Sequence, residues 1–368
     1  MTEPFLLSRV LLRFDADVDE RIHDLSAVTT SPDGYLWLGS DEGRCIERLS
    51  PGLPQRFAQH RFFSLDHLVE VFDQEDEADI EGLDYAAPYL WFTGSHSHKR
   101  KRAKKKDPIK NIERLSEIKT EPNRFMLGRI PVVQGELVKT CVGLPGHSPD
   151  RPSEPDTVLS ASLLQKTDDT NVLIQALQAD EHLGKIITSH LPSKDNGLDI
   201  EGIAVRGDTV FLGLRGPVLR GWAIILELEV EETANPEVLD LKVLNDAGDR
   251  YRKHFLDLGG LGVRDLCFDG DDLLILAGPT MTLDGSQGVF RLRDALSHAQ
   301  DTLWSQDSDG LETVFQLTLH PGGDRAEGMA ILPCFEDEHS LLIVYDAPHA
   351  NRYIDDLAIY MDVFRLPN

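Results

Sequence analysis

A short acidic phrase recurs along this chain and constrains its fold more than any other feature. The phrase reads Asp-Ile-Glu-Gly-Leu at residues 79–83, Asp-Ile-Glu-Gly-Ile at residues 199–203 and Arg-Ala-Glu-Gly-Met at residues 325–329. Internal similarity at spacings of tens of residues is typical of repeat architectures, in which each copy belongs to one supersecondary unit. We therefore expect the chain to fold as an array or ring of similar units.

Two more copies of the unit become visible on alignment. Residues 200–212 align without a gap on residues 263–275, and a weaker copy begins at residue 24 and ends in Tyr-Leu-Trp-Leu-Gly-Ser at residues 35–40. The position of the repeated glutamate is then occupied, in chain order, by Ser26, Glu81, Glu201, Arg264 and Glu327. The five copies are variations of one unit.

Each copy reads as two strands joined by a tight polar turn. In the first copy, Ser-Pro-Asp-Gly at residues 31–34 separates two apolar stretches, and proline and glycine there suit the dihedral angles of a β-turn. Further strand-like stretches bring each unit to four strands, which is the composition of a propeller blade. The sequence therefore predicts an all-β fold, a single β-propeller of five four-stranded blades. The long interval between Glu81 and Glu201 leaves room for a sixth blade.

The two ends of the chain are predicted to close the ring. The last unit contains only three strands of its own, and residues 5–14 form a further strand-like stretch. Pairing this N-terminal strand with the C-terminal blade would leave no open sheet edge. We therefore predict one domain over residues 1–368. Two insertions with helices are predicted on one face of the ring: residues 95–122, with a basic loop, and residues 143–197, with a helix at residues 163–187.

The repeated acid is the leading functional candidate. Innermost propeller strands line the central channel, so Glu81, Glu201 and Glu327 are expected to meet there. Asp79 and Asp199 lie two residues earlier and share a strand face with their glutamates.

Clustered carboxylates repel one another unless an arginine, shared protons or a cation neutralises them. Arg264 is the arginine candidate in the channel, with Asp265 beside it. A hard divalent ion, Ca²⁺ or Mg²⁺, is the cation candidate, because both prefer oxygen ligands. The phrase also fits a purely structural role, in which glycine permits close backbone approach and glutamate accepts backbone hydrogen bonds.

A second group of candidates lies at strand ends on one rim. Arg215, Asp346 and His349 follow or end strands, and together with His96 they form a set able to bind and hydrolyse a phosphate or carboxyl ester. His96 and His98 alternate along an extended segment, which makes them a candidate pair for metal binding or proton transfer, with a loop histidine pair without function as the alternative. Turn residues with incidental charges are the alternative interpretation.

One basic segment stands out against the formal net charge of −26, because seven of the eight residues at positions 99–106 are lysine or arginine. Such a run is often a solvated loop. It is alternatively a binding surface for phosphate, nucleic acid or an acidic protein partner. The residues that this alternative assigns to it are His98, Lys99, Arg100, Lys101 and Arg102.

The sequence resembles that of a known family over nearly its whole length. The run Lys-Asp-Asn-Gly-Leu-Asp-Ile-Glu-Gly-Ile-Ala-Val at residues 194–205 and Gly-Leu-Arg-Gly-Pro-Val at residues 213–218 looks like an uncharacterised bacterial family, classed as a domain of unknown function. The Glu-Gly phrase is also similar to phytase-like and esterase-like propellers and, more loosely, to gluconolactonase-like ones. This resemblance implies acidic residues on the axis, often around Ca²⁺. Arg264 and Ser26 depart from a full calcium ring.

Two functions follow as alternatives. The first is a metal-supported hydrolase of a phosphorylated or ester-bearing small molecule bound in the channel. The second is a noncatalytic scaffold that holds a protein or nucleic acid through its rim and basic loop. The chain lacks a Gly-x-Ser-x-Gly elbow, a phosphate loop, a His-Glu-x-x-His motif and a dinucleotide fingerprint. Neither a membrane span nor an export signal is recognisable, so we expect a cytoplasmic protein without a membrane partner.

Overall fold

Strands make up most of the structure, a computed structural model that describes residues 4–15, 22–104, 107–142, 158–281, 285–317, 323–334 and 339–367. Those of the first half are β1 (Leu6–Arg13), β2 (Leu25–Thr30), β3 (Leu36–Ser40), β4 (Cys45–Pro51), β5 (Arg56–Ser64), β6 (Ile80–Ala86), β7 (Tyr89–Gly94), β8 (Lys99–Arg100), β9 (Ile118–Lys119), β10 (Leu127–Val133), β11 (Glu136–Leu137), β12 (Thr140–Val142), β13 (Val158–Ser160), β14 (Ser162–Leu164), β15 (Lys166–Thr167) and β16 (Thr170–Asn171).

The second half continues the same pattern. Its strands are β17 (Asp199–Arg206), β18 (Thr209–Leu219), β19 (Trp222–Glu232), β20 (Val238–Leu241), β21 (Tyr251–Asp257), β22 (Gly262–Asp269), β23 (Asp272–Gly278), β24 (Gly288–Leu292), β25 (Thr302–Trp304), β26 (Leu311–Gln316), β27 (Arg325–Ile331), β28 (Ser340–Asp346), β29 (Tyr353–Asp355) and β30 (Ala358–Arg365). The helices are α1 (Pro108–Ser116), α2 (Val172–Gln178) and α3 (Gly184–Thr188), with 3₁₀ turns at Leu65–His67, Pro122–Phe125, Ser193–Asp195, Ala295–Ser297 and Ala350–Arg352.

The five copies of the repeat fold as antiparallel hairpins. These are β2–β3, β6–β7, β17–β18, β22–β23 and β27–β28. Their first strands contact one another in a cycle, β2 with β6, β6 with β17, β17 with β22, β22 with β27, and β27 with β2. The five first strands therefore surround a common axis, and the arrangement is that of a propeller.

Two further strands extend each hairpin away from the axis. In chain order of the hairpins they are β4 and β5, β10 and β14, β19 and β21, β24 and β26, and finally β30 and β1. The N-terminal β1 is antiparallel to β30, with Leu11 opposite Tyr360, and it also runs parallel to β5 of the first unit. Parallel contacts also join β14 to β20 and β21 to β25. Strand pairing therefore continues beyond the outermost strands of these units, through the three parallel pairs β1–β5, β14–β20 and β21–β25.

A β-bulge occurs at the same place in all five hairpins. The pairing register skips one residue of the first strand in each, and the skipped residues are Ser26, Glu81, Glu201, Arg264 and Glu327. These are the five aligned positions of the repeat. A bulge leaves its extra residue out of the ladder and redirects its side chain, which explains how the repeated acid leaves the sheet plane.

The glycine after the repeated acid permits neighbouring first strands to approach closely. A Cβ atom added at Gly202 would lie 2.9 Å from backbone atoms of Asp265 and Leu266, and one at Gly82 would lie 2.9 Å from Cγ2 of Ile203. No larger residue fits at such distances without a backbone shift. The glycine therefore has the structural role that the sequence suggested, which is to permit close approach of the neighbouring backbone.

The hydrophobic core lies between neighbouring sheets. Along β7, Leu90 and Phe92 pack against the first unit, whereas Tyr89 and Trp91 pack against the third. Successive side chains of a strand point to opposite faces, so a blade buried on both faces needs apolar residues at every position. This explains why the hairpin strands read as continuous hydrophobic runs.

The helix predicted at residues 163–187 is wrong in its first part. Leu163 and Leu164 belong to strand β14, where Leu163 pairs with Gly128 of β10 and with Val238 of β20. Helices α2 and α3 begin only afterwards. A short apolar run fits a strand as well as a helix, and pairing with β10 decided between them. Residues 143–157 of this predicted insertion lie outside the described residues.

The insertion at residues 95–122 contains helix α1. Asp107 caps the helix, because its carboxylate accepts hydrogen bonds from the backbone N–H groups of Ile109 and Lys110. Strands β8 and β9 pair on either side of the helix. Among the helices of the described chain, none has the length and apolar character needed to cross a bilayer.

Candidate active site in the central channel

The bulges direct four of the five repeated side chains into a cavity of about 240 Å³ on the axis, whereas the hydroxyl of Ser26 donates to the carbonyl of Ile80. Most of the residues predicted from the repeat and the rim line this one cavity. They are Asp79, Glu81, Asp199, Glu201, Arg215, Arg264, Glu327 and Asp346, joined by Lys99, Arg100 and Arg102 of the basic segment. Residues more than two hundred positions apart in sequence therefore meet in one place.

Glu201 is held between two arginines. Its Oε1 accepts a hydrogen bond from Arg215 at 2.6 Å, and its Oε2 accepts one from Arg264 at 2.5 Å. Burial alone would raise the pKa of Glu201, but the positive charges of Arg215 and Arg264 outweigh it and lower the pKa. Arg264 also forms an ion pair with Glu327, with 2.9 Å between Nη2 and Oε1. Glu201 is thus a fixed anion that orients two guanidinium groups.

Asp79 has an arginine partner that the sequence did not suggest. Arg124 contacts both carboxylate oxygens of Asp79, at 2.8 and 2.7 Å, and its Nη1 also donates to the hydroxyl of Ser97 at 3.0 Å. The contact to Oδ1 is a hydrogen bond, whereas the contact to Oδ2 is an ion pair without hydrogen-bond geometry. Arg124 comes from a 3₁₀ turn outside the repeat, so no alignment of copies points to it.

Glu81 differs from the other glutamates of the ring. Within the described chain its carboxyl group makes no hydrogen bond or ion pair, although it lines the same cavity. Burial, followed by the negative charges of Asp79 and Glu201, raises the pKa of Glu81 well above its ordinary value. Glu81 therefore keeps its proton to a higher pH than an ordinary glutamate does.

Other carboxyl groups of the channel also retain protons near neutral pH. Burial, assisted by the charge of Glu201, raises the pKa of Asp199 to about 7 in spite of Arg215. Burial likewise raises the pKa of Glu327 to about 7, against the opposing effect of Arg264. Pairs of acids with separated pKa values are typical of acid–base sites.

Asp41 is a channel residue that the sequence reasoning missed. It lines the cavity, and its Oδ1 is buried without a hydrogen-bond partner. Burial, followed by the charges of Asp79 and Glu327, raises the pKa of Asp41 to about 8. The sequence did contain a signal. Ser40 pairs with Leu25 in the first hairpin, and Leu214 pairs with Ile200 in the third, so Asp41 and Arg215 occupy equivalent positions just after these paired residues. Comparing the second strands of the copies would have found it.

Three of the residues predicted as catalytic or channel residues are not brought to the cavity. The carboxylate of Asp265 accepts backbone hydrogen bonds from Leu266 at 2.8 Å and from Met329 at 2.7 Å, so it links two first strands instead of facing the channel. His349 is exposed, and its Nδ1 accepts from the backbone N–H of Asn351 at the start of a 3₁₀ turn. Both side chains serve local structure.

His96 is the third residue, and its catalytic assignment and its pairing with His98 need correction. Its backbone is left-handed, with φ of 53°, so the alternation of an extended segment does not apply. The ring is buried: Nδ1 donates to the carbonyl of Gly94, and Nε2 accepts from the side chain of Asn171. Burial lowers the pKa of His96 to about 4, so it is a neutral, satisfied core histidine.

His98 has a different histidine partner. Its Nε2 lies 3.0 Å from Nδ1 of His190, and its Nδ1 lies 2.9 Å from the hydroxyl of Thr120. Burial, followed by the charge of His190, lowers the pKa of His98 to about 4. The pair lies beside the basic segment, and neither histidine lines the channel cavity.

The basic segment is partly neutralised by the protein itself. Arg100 pairs with Asp195 at 2.7 Å, Lys101 pairs with Glu117, and Nζ of Lys99 lies 4.0 Å from Glu121. Lys99, Arg100 and Arg102 nevertheless line the channel cavity and give its mouth a positive charge. An anion approaching the channel would meet these side chains first.

The residues of the channel fit arginine better than a divalent ion. Glu201, Asp199 and Asp79 face guanidinium groups, and positive neighbours disfavour a bound cation. Over the residues that the structure describes, no group of three or more His, Cys, Asp or Glu side chains is arranged to hold a metal ion. The Ca²⁺ or Mg²⁺ suggested by the sequence stays a prediction, and no step below depends on it.

The fold and the channel together define a β-propeller whose axis is lined by acids and arginines. The chain belongs to the family described as "Protein of unknown function (DUF3616)", whose profile matches residues 24–362. The predicted membership of an uncharacterised propeller family is thereby confirmed. Similarity to phytase-like propellers stays an implication of the sequence. The comparison with curated proteins gives no match.

Solved structures of similar architecture are remote in sequence. Virginiamycin B lyase from Staphylococcus aureus is 11% identical, with 97% of this chain and 99% of that chain covered, at a TM-score of 0.37. A PQQ-bound aldose sugar dehydrogenase from Streptomyces coelicolor is 13% identical, with 98% and 99% covered, at a TM-score of 0.34. A chain of a mitotic checkpoint complex is 10% identical, with 100% and 96% covered, at 0.35. Likenesses at this level carry no argument about function.

Proposed function

We propose that this protein is a single five-bladed propeller and a hydrolase that cleaves a phosphorylated or ester-bearing small molecule in its central channel. The observation that carries the proposal is the carboxyl group of Glu81. It lines the cavity, its pKa is raised well above the ordinary value by burial, and it makes no hydrogen bond or ion pair within the described protein. A strongly shifted acid in a concave polar site is the usual mark of a proton donor.

In this proposal the channel residues divide the chemistry among them. A water molecule attacks the phosphorus or carbonyl carbon, the bond to the leaving oxygen breaks, and Glu81 gives its proton to that oxygen. Asp199, part ionised near its pKa of about 7, accepts the proton of the attacking water. Arg215 and Arg264, oriented by Glu201, stabilise negative charge that develops on the substrate oxygens.

The positive mouth supports an anionic substrate. Lys99, Arg100, Arg102, Lys194 and Arg325 line the outer part of the cavity, and Lys194 and Arg102 are exposed. A narrow polar site below a basic rim suits a molecule that carries a phosphate or carboxylate. The scaffold alternative depends on the same basic segment, which the protein already pairs in part with Glu117, Glu121 and Asp195. Partner binding by that segment stays a prediction.

The test is hydrolysis of glycerol 2-phosphate and of ethyl acetate, whose alkoxide leaving groups need a proton, by the full chain and by Glu81→Gln. We expect the substitution to lower kcat by about 10²- to 10⁴-fold with little change in KM, because proton donation acts mainly in the transition state. The rate of the wild type should fall as pH rises through the elevated pKa of Glu81, since the ionised acid has no proton to give.

The matched control is Glu42→Gln, which makes the same chemical change at an exposed position that does not line the cavity. Its rate should equal that of the wild type. A Glu81→Gln protein that is folded and fully active would overturn the assignment of Glu81. Absence of hydrolysis with both ester classes would overturn the hydrolase proposal.

A further inference from the structure

Helix α1 presents its apolar residues to solvent. Ile109, Ile112 and Leu115 follow at three-residue spacing along one face and are exposed to 72, 71 and 47%. Ile118, just beyond the helix, is exposed to 42%. An amphipathic helix of a globular protein normally turns such a stripe toward the core, and no residue of α1 is buried. The apolar face of α1 therefore points to solvent and not to the core of the protein.

Hydrogen bonds on the polar side of α1 fix this orientation. The side chain of Asn111 accepts from the backbone N–H of Lys104 at 2.6 Å and donates to its carbonyl. Nε of Arg114 donates to the carbonyl of Arg102 at 2.9 Å, and Arg100 donates to the carbonyl of Leu115 at 2.6 Å. The apolar face is thus held outward by specific contacts.

Exposed basic side chains flank the apolar stripe and outnumber the exposed acids Glu113 and Glu117. Arg102, Lys104, Lys110 and Lys119 are all exposed, and within the described ranges none of their side chains forms an ion pair. The protein as a whole has a formal net charge of −26, so this surface is a local exception. A partner that fits it must offer an apolar layer together with negative charge.

We propose that the exposed face of α1, formed by Ile109, Ile112 and Leu115 and flanked by these basic side chains, binds an anionic lipid surface. The isoleucine and leucine side chains enter the boundary between headgroups and acyl chains, and the lysines and Arg102 contact anionic headgroups. Interfacial helices combine an apolar face with flanking lysine and arginine in this way, and each basic residue near an anionic leaflet adds to binding.

The other occupants fit less well. A nucleic acid backbone provides the negative charge but no apolar layer for the exposed side chains. A second copy of the chain, docked through the same face, would bring two basic surfaces together, because a two-fold interface pairs each patch with itself. Moreover, Arg100 and Arg102 line the channel cavity, so binding at α1 brings the cavity mouth near the lipid surface. The inference does not depend on hydrolysis in the channel.

The experiment is co-sedimentation of the full chain with vesicles of phosphatidylglycerol and phosphatidylcholine, and with vesicles of phosphatidylcholine alone. We expect binding to the anionic vesicles that weakens as salt is raised, because headgroup contacts are screened. Ile109→Ser combined with Ile112→Ser should lower the affinity about tenfold or more, since the apolar contribution is lost. Both positions are exposed, so the variant should fold as the wild type does.

The matched control is Leu53→Ser, which removes a side chain of equal exposure, 73%, far from the helix in sequence. It should bind vesicles like the wild type. Absence of binding to anionic vesicles at low salt would overturn the proposal, as would equal binding by the double variant. A dimer in light scattering that becomes a monomer in the double variant would assign the face to a second copy and would also overturn it.

Discussion

The ionisable side chains of the channel are of two kinds. Glu201 has two arginine partners, which lower its pKa and keep it an anion. Glu81 and Asp41 have raised pKa values, and the pKa of Asp41, about 8, keeps that residue protonated at neutral pH. Carboxyl groups that line the same cavity thus differ in pKa, because their neighbours and not the residue type determine it.

The raised pKa of Asp41 makes the stability of the protein depend on pH. Its folded pKa of about 8 exceeds the value of about 4 in the unfolded chain, so between these pH values the folded state binds the additional proton. The contribution of protonated Asp41 to the free energy of unfolding is therefore present at low pH and is lost as pH rises through 8. Asp41→Asn removes this titration, and we expect the variant to gain up to about 3 kcal/mol over the wild type between pH 5 and pH 8.5.

Urea unfolding of both proteins at pH 5, 7 and 8.5 measures this difference. Glu42→Gln is the control, because it neutralises the exposed neighbouring carboxylate. A difference between Asp41→Asn and the wild type that is the same at all three pH values would contradict the expected role of Asp41.

The repeated element is a hairpin with a bulge, and the bulge explains the Glu-Gly phrase. The glutamate position is the extra residue that leaves the ladder, and the following glycine lies where the next first strand approaches. One dipeptide therefore serves the ring and the channel at once. The sequence interpretation kept a structural role and a functional role as alternatives; the close strand approach gives the glycine the structural role, and the proposed function assigns the chemical role to the glutamate.

Gly202→Ala tests the close approach. The new Cβ would lie 2.9 Å from backbone atoms of Asp265 and Leu266, so the neighbouring strands must shift. We expect a loss of about 1–3 kcal/mol in the free energy of unfolding, as for other overpacked positions. Gly52→Ala is the control, since its nearest atom would be the carbonyl oxygen of Arg56 at 3.4 Å. Denaturant unfolding that finds equal stability for the two variants would refute the steric argument.

For the whole molecule, the N-terminal strand completes the sheet of the last unit. Leu12 of β1 is fully buried and packs in the core that joins the first and last units, whereas Leu6 of the same strand is 44% exposed. The first and last parts of the chain therefore share one hydrophobic core. Such contacts of high sequence separation tie the ring together.

Leu12→Ala should lower the free energy of unfolding by about 2–5 kcal/mol, the range for a leucine removed from a core. Leu6→Ala, in the same strand, should cost much less because its side chain is largely in water. Guanidinium unfolding of the two variants measures the contrast. Similar losses at both positions would mean that β1 does not contribute its core face to closure.

Sequence alone determined the features that repeat. The five aligned positions, their hairpins and the meeting of Glu81, Glu201 and Glu327 follow from periodicity, because equivalent residues of equivalent units occupy equivalent places around an axis. Family membership also followed from the sequence run that carries the resemblance. Structural features that recur along the chain can therefore be predicted from its sequence.

Tertiary structure alone decided the features that occur once. Arg124 reaches Asp79 from a non-repeated turn, His96 is turned inward by a left-handed backbone, and β14 becomes a strand through its pairing with β10. The outward face of α1 likewise depends on hydrogen bonds to the preceding segment. The physical reason is that burial, charge and pairing depend on neighbours brought together by the ring, and a local pattern of residues does not contain those neighbours.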